Sequence, residues 1–176
     1  MRKTLLALCV VACGCSGSPL DSPTSPSAAQ LESAQTQARA GNGLPLSGSF
    51  TRASHADPCP PPPTFTIYGT VEGNASHLGS FTATSVDHVT DTSGIGTWEF
   101  TAANGDQLFT ETAGVENAFE PPNISHVTLH ARITGGTGRF AGASGEFTTR
   151  FDEAINFAQC SGESHGTLDG QLNLNR

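Results

Sequence analysis

A glycine-rich segment is the sequence feature that most constrains the fold of this chain. Five glycines fall between Gly135 and Gly145, and alternating apolar and polar residues flank them on both sides. Glycine adopts positive φ without a Cβ clash, so the backbone can turn sharply here. The segment therefore predicts a structural corner between two long strands, built by Gly135, Gly136, Gly138, Phe140, Gly142 and Gly145.

The same glycines do not match a phosphate-binding loop. Such a loop lies between a strand and a helix, and the P-loop form also needs a lysine. Here a strand pattern follows the glycines at residues 146–151, and the chain has no lysine after Lys3. Nucleotide binding is therefore disfavoured.

The corner sequence GGTGRFAGASG resembles the corner of dirigent proteins and of bacterial relatives in the allene oxide cyclase barrel-like group. The strand–turn–strand sequence TAANGDQLF, residues 101–109, agrees with it, and the resemblance covers about residues 44–174. It implies an all-β domain, an eight-stranded antiparallel meander barrel, in a bacterial lipoprotein member of the group. It also implies that a trimer is an option. Plant members guide or cyclise reactive intermediates, but none of their catalytic positions can be placed on this chain residue by residue.

Eight segments carry strand periodicity bounded by turn residues, and no long helical pattern interrupts them. This spacing favours a meander that closes on itself, which would also remove exposed sheet edges. The predicted strands are residues 46–53, 64–73, 77–89, 95–103, 106–114, 124–134, 145–153 and 163–174.

The N-terminus has the pattern of a lipoprotein signal peptide. Met1 to Lys3 is positive, the following apolar run is too short to span a bilayer, and Val10-Val11-Ala12-Cys13 resembles a lipoprotein cleavage box. We predict a signal peptide over residues 1–12 and lipidation at Cys13, with Cys15 as second choice. The expected location is the bacterial cell envelope, at the outer membrane where the cell has two membranes.

Residues 13–43 are predicted to be a flexible tether, and residues 44–176 the barrel domain. The tether is rich in Ser, Pro and Ala and has no aromatic residue, so it cannot bury enough apolar surface to fold. After removal of Arg2 and Lys3, six basic and sixteen acidic residues remain, a charge of about −10. This acidity argues against nucleic acid as a partner.

The Asn104-Gly105 pair predicts a two-residue hairpin turn. That register would place Trp98 opposite Glu111, and Phe100 opposite Phe109, on one face. Glu111 is an acid–base candidate if that face is buried. If the face is external, Glu111 is a solvated surface residue.

The sixth predicted strand alternates cleanly, with His126, Thr128, His130 and Arg132 on one face. His126 and His130 are about 13 Å apart on a strand, too far to share a metal ion. His130 and Arg132 are weak catalytic candidates that would line a polar cavity wall with Asp87 or His88. The alternative is an exposed polar face. No metal site and no cofactor are predicted.

Successive loops of a meander lie at alternate ends. The glycine corner and the Asn104-Gly105 turn share the tight end, while loops at residues 55–63, 90–94, 115–123 and 154–162 share the other. Cys59 and Cys160 fall in two of these longer loops, next to neighbouring strands 1 and 8, and we predict a disulfide between them. A ligand site is expected to open at this longer-loop end.

Two classes of function stay open. The first is an envelope-anchored barrel that binds a small apolar ligand or a partner protein. The second is a cavity enzyme of the cyclase or isomerase type, and a β-sandwich adhesion module is a third interpretation. The chain has no recognisable catalytic constellation, so the binding role is preferred and no catalytic residue is assigned.

Overall fold

The computed structural model describes residues 43–175, which form eight strands and one short 3-10 helix. The predicted signal peptide, Cys13, Cys15 and nearly all of the tether lie outside the described residues. The strands are β1 (Leu44–Asp57), β2 (Thr64–Ala75), β3 (Gly79–Thr90), β4 (Ser93–Ala102), β5 (Gln107–Glu120), β6 (Ile124–Gly136), β7 (Ser144–Asn156) and β8 (Ser161–Asn173).

Each strand pairs antiparallel with the next, and β8 pairs with β1, so the sheet closes into a barrel. This confirms the eight-stranded antiparallel barrel that the resemblance implies, and it excludes the β-sandwich interpretation. Within the described residues no helix has the length and hydropathy needed to cross a bilayer.

The predicted hairpin register is wrong by one residue. Trp98 pairs with Thr110 and Phe100 with Leu108, because the loop holds three residues rather than two. Only Gly105 in this loop has positive φ, at 85°, whereas a type I′ turn needs two such residues. The slip reverses the faces of β5, since side chains alternate along a strand.

The tight end of the barrel is filled by side chains. Inward-facing residues of all eight strands form one core with Phe140, and most of them are less than about a twentieth exposed. Aromatic rings pack edge to face within it, with Phe100 5.3 Å from Phe81 and 5.8 Å from Phe147. The barrel is therefore closed at this end.

The glycine corner covers the tight end. It contains a 3-10 helix, Gly138–Phe140, whose Phe140 is fully buried under the barrel. Arg139 stacks on the Phe140 ring at 4.7 Å and donates from Nη2 to the Leu78 carbonyl oxygen at 3.2 Å. Gly138 has φ +55, and a Cβ there would overlap the Asp106 carboxylate, so this position requires glycine.

The loops at the opposite end are shorter than predicted because the strands continue into them. β5 extends to Glu120 and so includes Phe119, and β3 and β4 are joined by only two residues, 91–92. The predicted disulfide is confirmed: Cys59 and Cys160 are bonded, with their Cα atoms 5.7 Å apart. It joins the β1–β2 loop to the β7–β8 loop.

Candidate functional site

A cavity of about 240 Å³ opens at the end of the barrel opposite the glycine corner. Its walls are mainly apolar side chains from the strands and from the loops that the disulfide joins. The apolar lining residues are Ala56, Pro61, Phe65, Ile67, Val89, Val115, Val127, Leu129, Phe151, Ile155 and Phe157.

The charged residues in the cavity lining include Arg52, Asp87 and Glu153, from β1, β3 and β7. Each is less than a tenth exposed. Arg52 Nη2 lies 2.9 Å from Asp87 Oδ2, and Arg52 Nη1 lies 3.5 Å from Glu153 Oε1. The guanidinium also stands over the rings of Trp98 and Phe151, at 5.6 and 5.8 Å. We call Arg52, Asp87 and Glu153 the floor cluster.

Neutral donors complete the hydrogen bonding of the floor cluster. Ser54 Oγ donates to Glu153 Oε1 at 2.5 Å. Trp98 Nε1 donates to Asp87 Oδ1 at 3.3 Å, and Thr112 Oγ1 donates to the same oxygen at 3.4 Å. Charged groups can remain in a barrel interior when their hydrogen-bonding atoms have partners, as they do here.

Glycines on neighbouring strands leave the space that the charged side chains occupy. A Cβ at Gly69 would lie 2.5 Å from Arg52 Nε, one at Gly96 would lie 2.5 Å from Asp87 Oδ1, and one at Gly162 would lie 2.6 Å from Glu153 Oε1. Each member of the cluster therefore faces an inward position without a side chain.

Burial raises the pKa of Asp87 above its ordinary value. The positive charge of Arg52 and the hydrogen bonds from Trp98 and Thr112 act in the opposite direction, but desolvation is the larger effect. A carboxyl group of this kind holds a proton to higher pH than a surface aspartate does.

Glu111 lies on the outer face of the barrel and not beside Trp98. It pairs across strands with Arg132, whose Nη2 donates to Glu111 Oε2 at 2.5 Å, and both side chains are more than half exposed. The condition that would have made Glu111 an acid–base candidate, burial beside the indole, is not met.

The polar face of β6 is also external. His126 bonds through Nδ1 to Asp152 Oδ1 at 2.6 Å, and His130 Nδ1 lies 3.2 Å from Thr148 Oγ1. Asp87 points into the barrel, so it does not join His130 and Arg132 in a cavity wall. Among residues 43–175 no group of three His, Cys, Asp or Glu side chains is placed to hold a metal ion.

The sequence pattern did not predict that the three residues of the floor cluster lie together, although each of them follows the alternation of its own strand. Arg52 has the same parity as Phe50, Asp87 the same as Phe81, and Glu153 the same as Phe151. A charged residue on the apolar face of a strand is the signal that would have found them. That the three converge depends on barrel closure, which alternation does not describe.

Comparison with known proteins yields a likeness in structure. No protein-family model matches the chain, and no curated protein matches it. A solved structure, the pterocarpan synthase dirigent protein GePTS1, aligns with a TM-score of 0.47 and 16% identity. The alignment covers 76% of this chain and 88% of that one. At this similarity no residue role is transferred from that protein to this chain.

Proposed function

We propose that this domain binds a small, mainly apolar molecule in the open end of the barrel. The observation that carries the proposal is the cavity, because an apolar pocket with a few convergent polar groups is the usual form of a small-molecule site. The walls supply apolar contact for the body of the ligand. The floor cluster supplies charged and hydrogen-bonding groups for one polar end.

The disulfide and the aromatic rim support this proposal. Cys160, Pro61 and Phe157 all line the cavity, so the Cys59–Cys160 bond holds two of its mouth-forming loops together. Phe157 packs against Phe119, with ring centroids 6.3 Å apart, and both rings are exposed. Phe157 extends the apolar lining to the mouth, and a concave apolar pocket favours a small ligand over a protein partner, which is the weaker candidate.

A neutral fluorescent probe, N-phenyl-1-naphthylamine, tests the proposal in the full-length protein. We expect saturable binding at one site, lost in Ala56→Phe, because the new ring would fill the cavity. The matched control is Ala53→Phe, where the ring points outward from the same strand. Equal binding by both variants, or no saturable binding by the unmodified protein, would refute a site in the cavity.

A second candidate function is proton transfer to or from a cavity-bound substrate. The observation that favours it is the position of Asp87, a buried carboxyl group in the cavity lining whose pKa is raised by burial, and Asp87 would replace Glu111 as the acid–base group. An unsaturated epoxide is the substrate class to test, with the products separated on a chiral column. Turnover that is lost in Asp87→Asn while the neutral probe still binds would establish the enzyme. Unchanged turnover in that variant would exclude Asp87.

We also propose that the protein is exported and anchored by a lipid at Cys13. The cleavage-box pattern at residues 10–13 is the main support. The Cys59–Cys160 disulfide is consistent with it, since structural disulfides form in oxidising compartments outside the cytosol. The tether would then separate the cavity from the membrane surface.

A further inference from the structure

The charge of the cavity lining is strongly one-sided. Among residues 43–175, four acidic side chains line it, Asp87, Asp91, Glu116 and Glu153, and the single basic one is Arg52. With every group ionised, the formal charge is −3. No histidine of the described part of the chain contributes to this lining.

Arg52, the cation in the lining, already forms ion pairs within the protein. Arg52 contacts both Asp87 and Glu153 and lies against two aromatic rings, so it is fully used by the floor cluster. When both carboxyl groups are ionised, one guanidinium balances one of them, and the floor has a formal charge of −1. An anionic ligand would have to displace one of these carboxylates from Arg52.

The carboxylates at the mouth have no compensating partner. Asp91 lies in the β3–β4 turn and Glu116 lies near the end of β5. Within the described part of the chain, neither side chain forms an ion pair or a side-chain hydrogen bond. Carboxylates beside apolar, low-dielectric walls produce a negative potential that attracts cations into a cleft and repels anions.

The interior also contains an unused polar atom at the level of the floor. Ser164 pairs with Arg52 across β1 and with Glu153 across β7, and its side chain is almost fully buried. Its Oγ has no hydrogen-bond partner among residues 43–175. A buried hydroxyl without a partner is uncommon, but Ser164 is not among the residues that line the cavity, so it does not bear on the charge of the ligand.

From this charge distribution we infer that the ligand is a cation, an apolar body carrying a protonated amine or a quaternary ammonium group. This inference rests on the proposed binding function. The positive group would compensate the acidic lining, while Phe65 and Phe157 offer aromatic surface to the body or to the cation itself. A neutral analogue would lack the first contribution, and an anionic one would be repelled.

Three probes of the same shape but different charge test the inference by isothermal titration calorimetry on the full-length protein. They are 1-naphthylmethylamine, 1-naphthylmethanol and 1-naphthoate, which are cationic, neutral and anionic at pH 7. We expect the amine to bind about tenfold more tightly than the alcohol, and the carboxylate to bind most weakly. Added salt should weaken binding of the amine and leave binding of the alcohol unchanged.

The variant Asp91→Asn/Glu116→Gln removes two negative charges from the mouth. Asn tolerates the left-handed φ of +53 at position 91, so the turn should be kept. We expect affinity for the amine to fall about three- to tenfold and affinity for the alcohol to stay constant. The matched control, Glu99→Gln/Asp169→Asn, removes two charges from the outer faces of β4 and β8 and should change neither.

The outcomes separate the two proposals. If the alcohol binds as tightly as the amine, or the carboxylate binds best, the cationic ligand is refuted while the binding function stands. If none of the three binds and N-phenyl-1-naphthylamine also fails to bind, both proposals are refuted. Loss of amine binding in the control variant would show that overall charge is responsible and not the cavity lining.

Discussion

Arg52 on β1 reaches Asp87 on β3 by passing over Gly69 of the intervening strand β2. The Arg52–Asp87 distance is 2.9 Å, and a Cβ at Gly69 would lie 2.5 Å from Arg52 Nε and 2.4 Å from Ser85 Oγ. Two residues on strands that are not neighbours can therefore pair only because the position between them has no side chain. This ion pair separates the filled part of the barrel from the open cavity.

Gly69→Ala should destabilise the barrel, because the methyl group would displace Arg52 or Ser85. Overpacking of this kind costs about 1–3 kcal/mol. The measurement is urea unfolding followed by tryptophan fluorescence. Gly94→Ala is the matched control, since its Cβ would come no closer than 3.3 Å to any neighbour. Equal stability of the two variants would contradict the role given to Gly69.

Arg52→Met should be one of the most destabilising single substitutions in the domain. It removes the cation that contacts two buried carboxyl groups, and breaking a buried ion pair by removing one partner costs about 3–5 kcal/mol. It should also raise the pKa of Asp87 further, because the Arg52 charge lowers that pKa. Carboxyl ¹³C NMR measures the second effect. A lowered Asp87 pKa in the variant would refute the assignment.

The pH dependence of stability should reflect the raised pKa of Asp87 in the folded state. Its folded-state pKa is raised, so the folded protein binds a proton more readily than the unfolded chain does. The contribution to stability is present below the ordinary aspartate pKa and is lost as pH rises through the raised folded value. Arg52→Met should therefore be less destabilising in acid than at neutral pH, as urea midpoints across this range would show.

The pKa of His126 should lie above the ordinary histidine value. Its hydrogen bond to Asp152 is the main cause of the raised pKa, and the charges of Asp152 and Glu120 add to it. Whatever stability this pair contributes is present below the ordinary histidine pKa and is lost as pH rises through the folded value. Proton NMR should show the His126 pKa falling in Asp152→Asn but not in Asp169→Asn, an exposed control site on β8. No change in either variant would contradict the contact.

Removal of the disulfide should cost about 4–5 kcal/mol, since it closes a loop of about 100 residues in the unfolded chain. Cys59→Ser/Cys160→Ser is the variant, and urea unfolding is the measurement. Peptide mass spectrometry without reductant should first recover the Cys59 and Cys160 peptides as one linked species. Recovery of both as free thiols would disprove the bond.

Lipidation should be found at Cys13 in protein made in a bacterial host. Mass spectrometry of the mature N-terminus should show a diacylglyceryl-modified cysteine followed by Gly14. Cys13→Ala should abolish the modification, while Cys15→Ala should leave it unchanged. Modification retained in Cys13→Ala would move the site to Cys15, and an unmodified mature chain would remove the anchor.

The local sequence pattern was sufficient to predict the number of strands, the barrel class and the disulfide. Period-two alternation between turn residues marks each strand, and the two cysteines fall in loops beside strands that closure makes neighbours. The expected strand segments correspond to β1 to β8, with ends that move by up to six residues because pairing continues into the predicted loops.

Tertiary structure decided the register and the site. One extra residue in the Ala103–Gly105 loop turned Glu111 outward and left Thr110 and Leu108 facing the core, since a slip of one residue exchanges the two faces of a strand. The floor cluster joins residues 35 and 101 positions apart across the lumen. Alternation along single strands specifies which side chains point inward, whereas their partners follow from how the eight strands are staggered on closure.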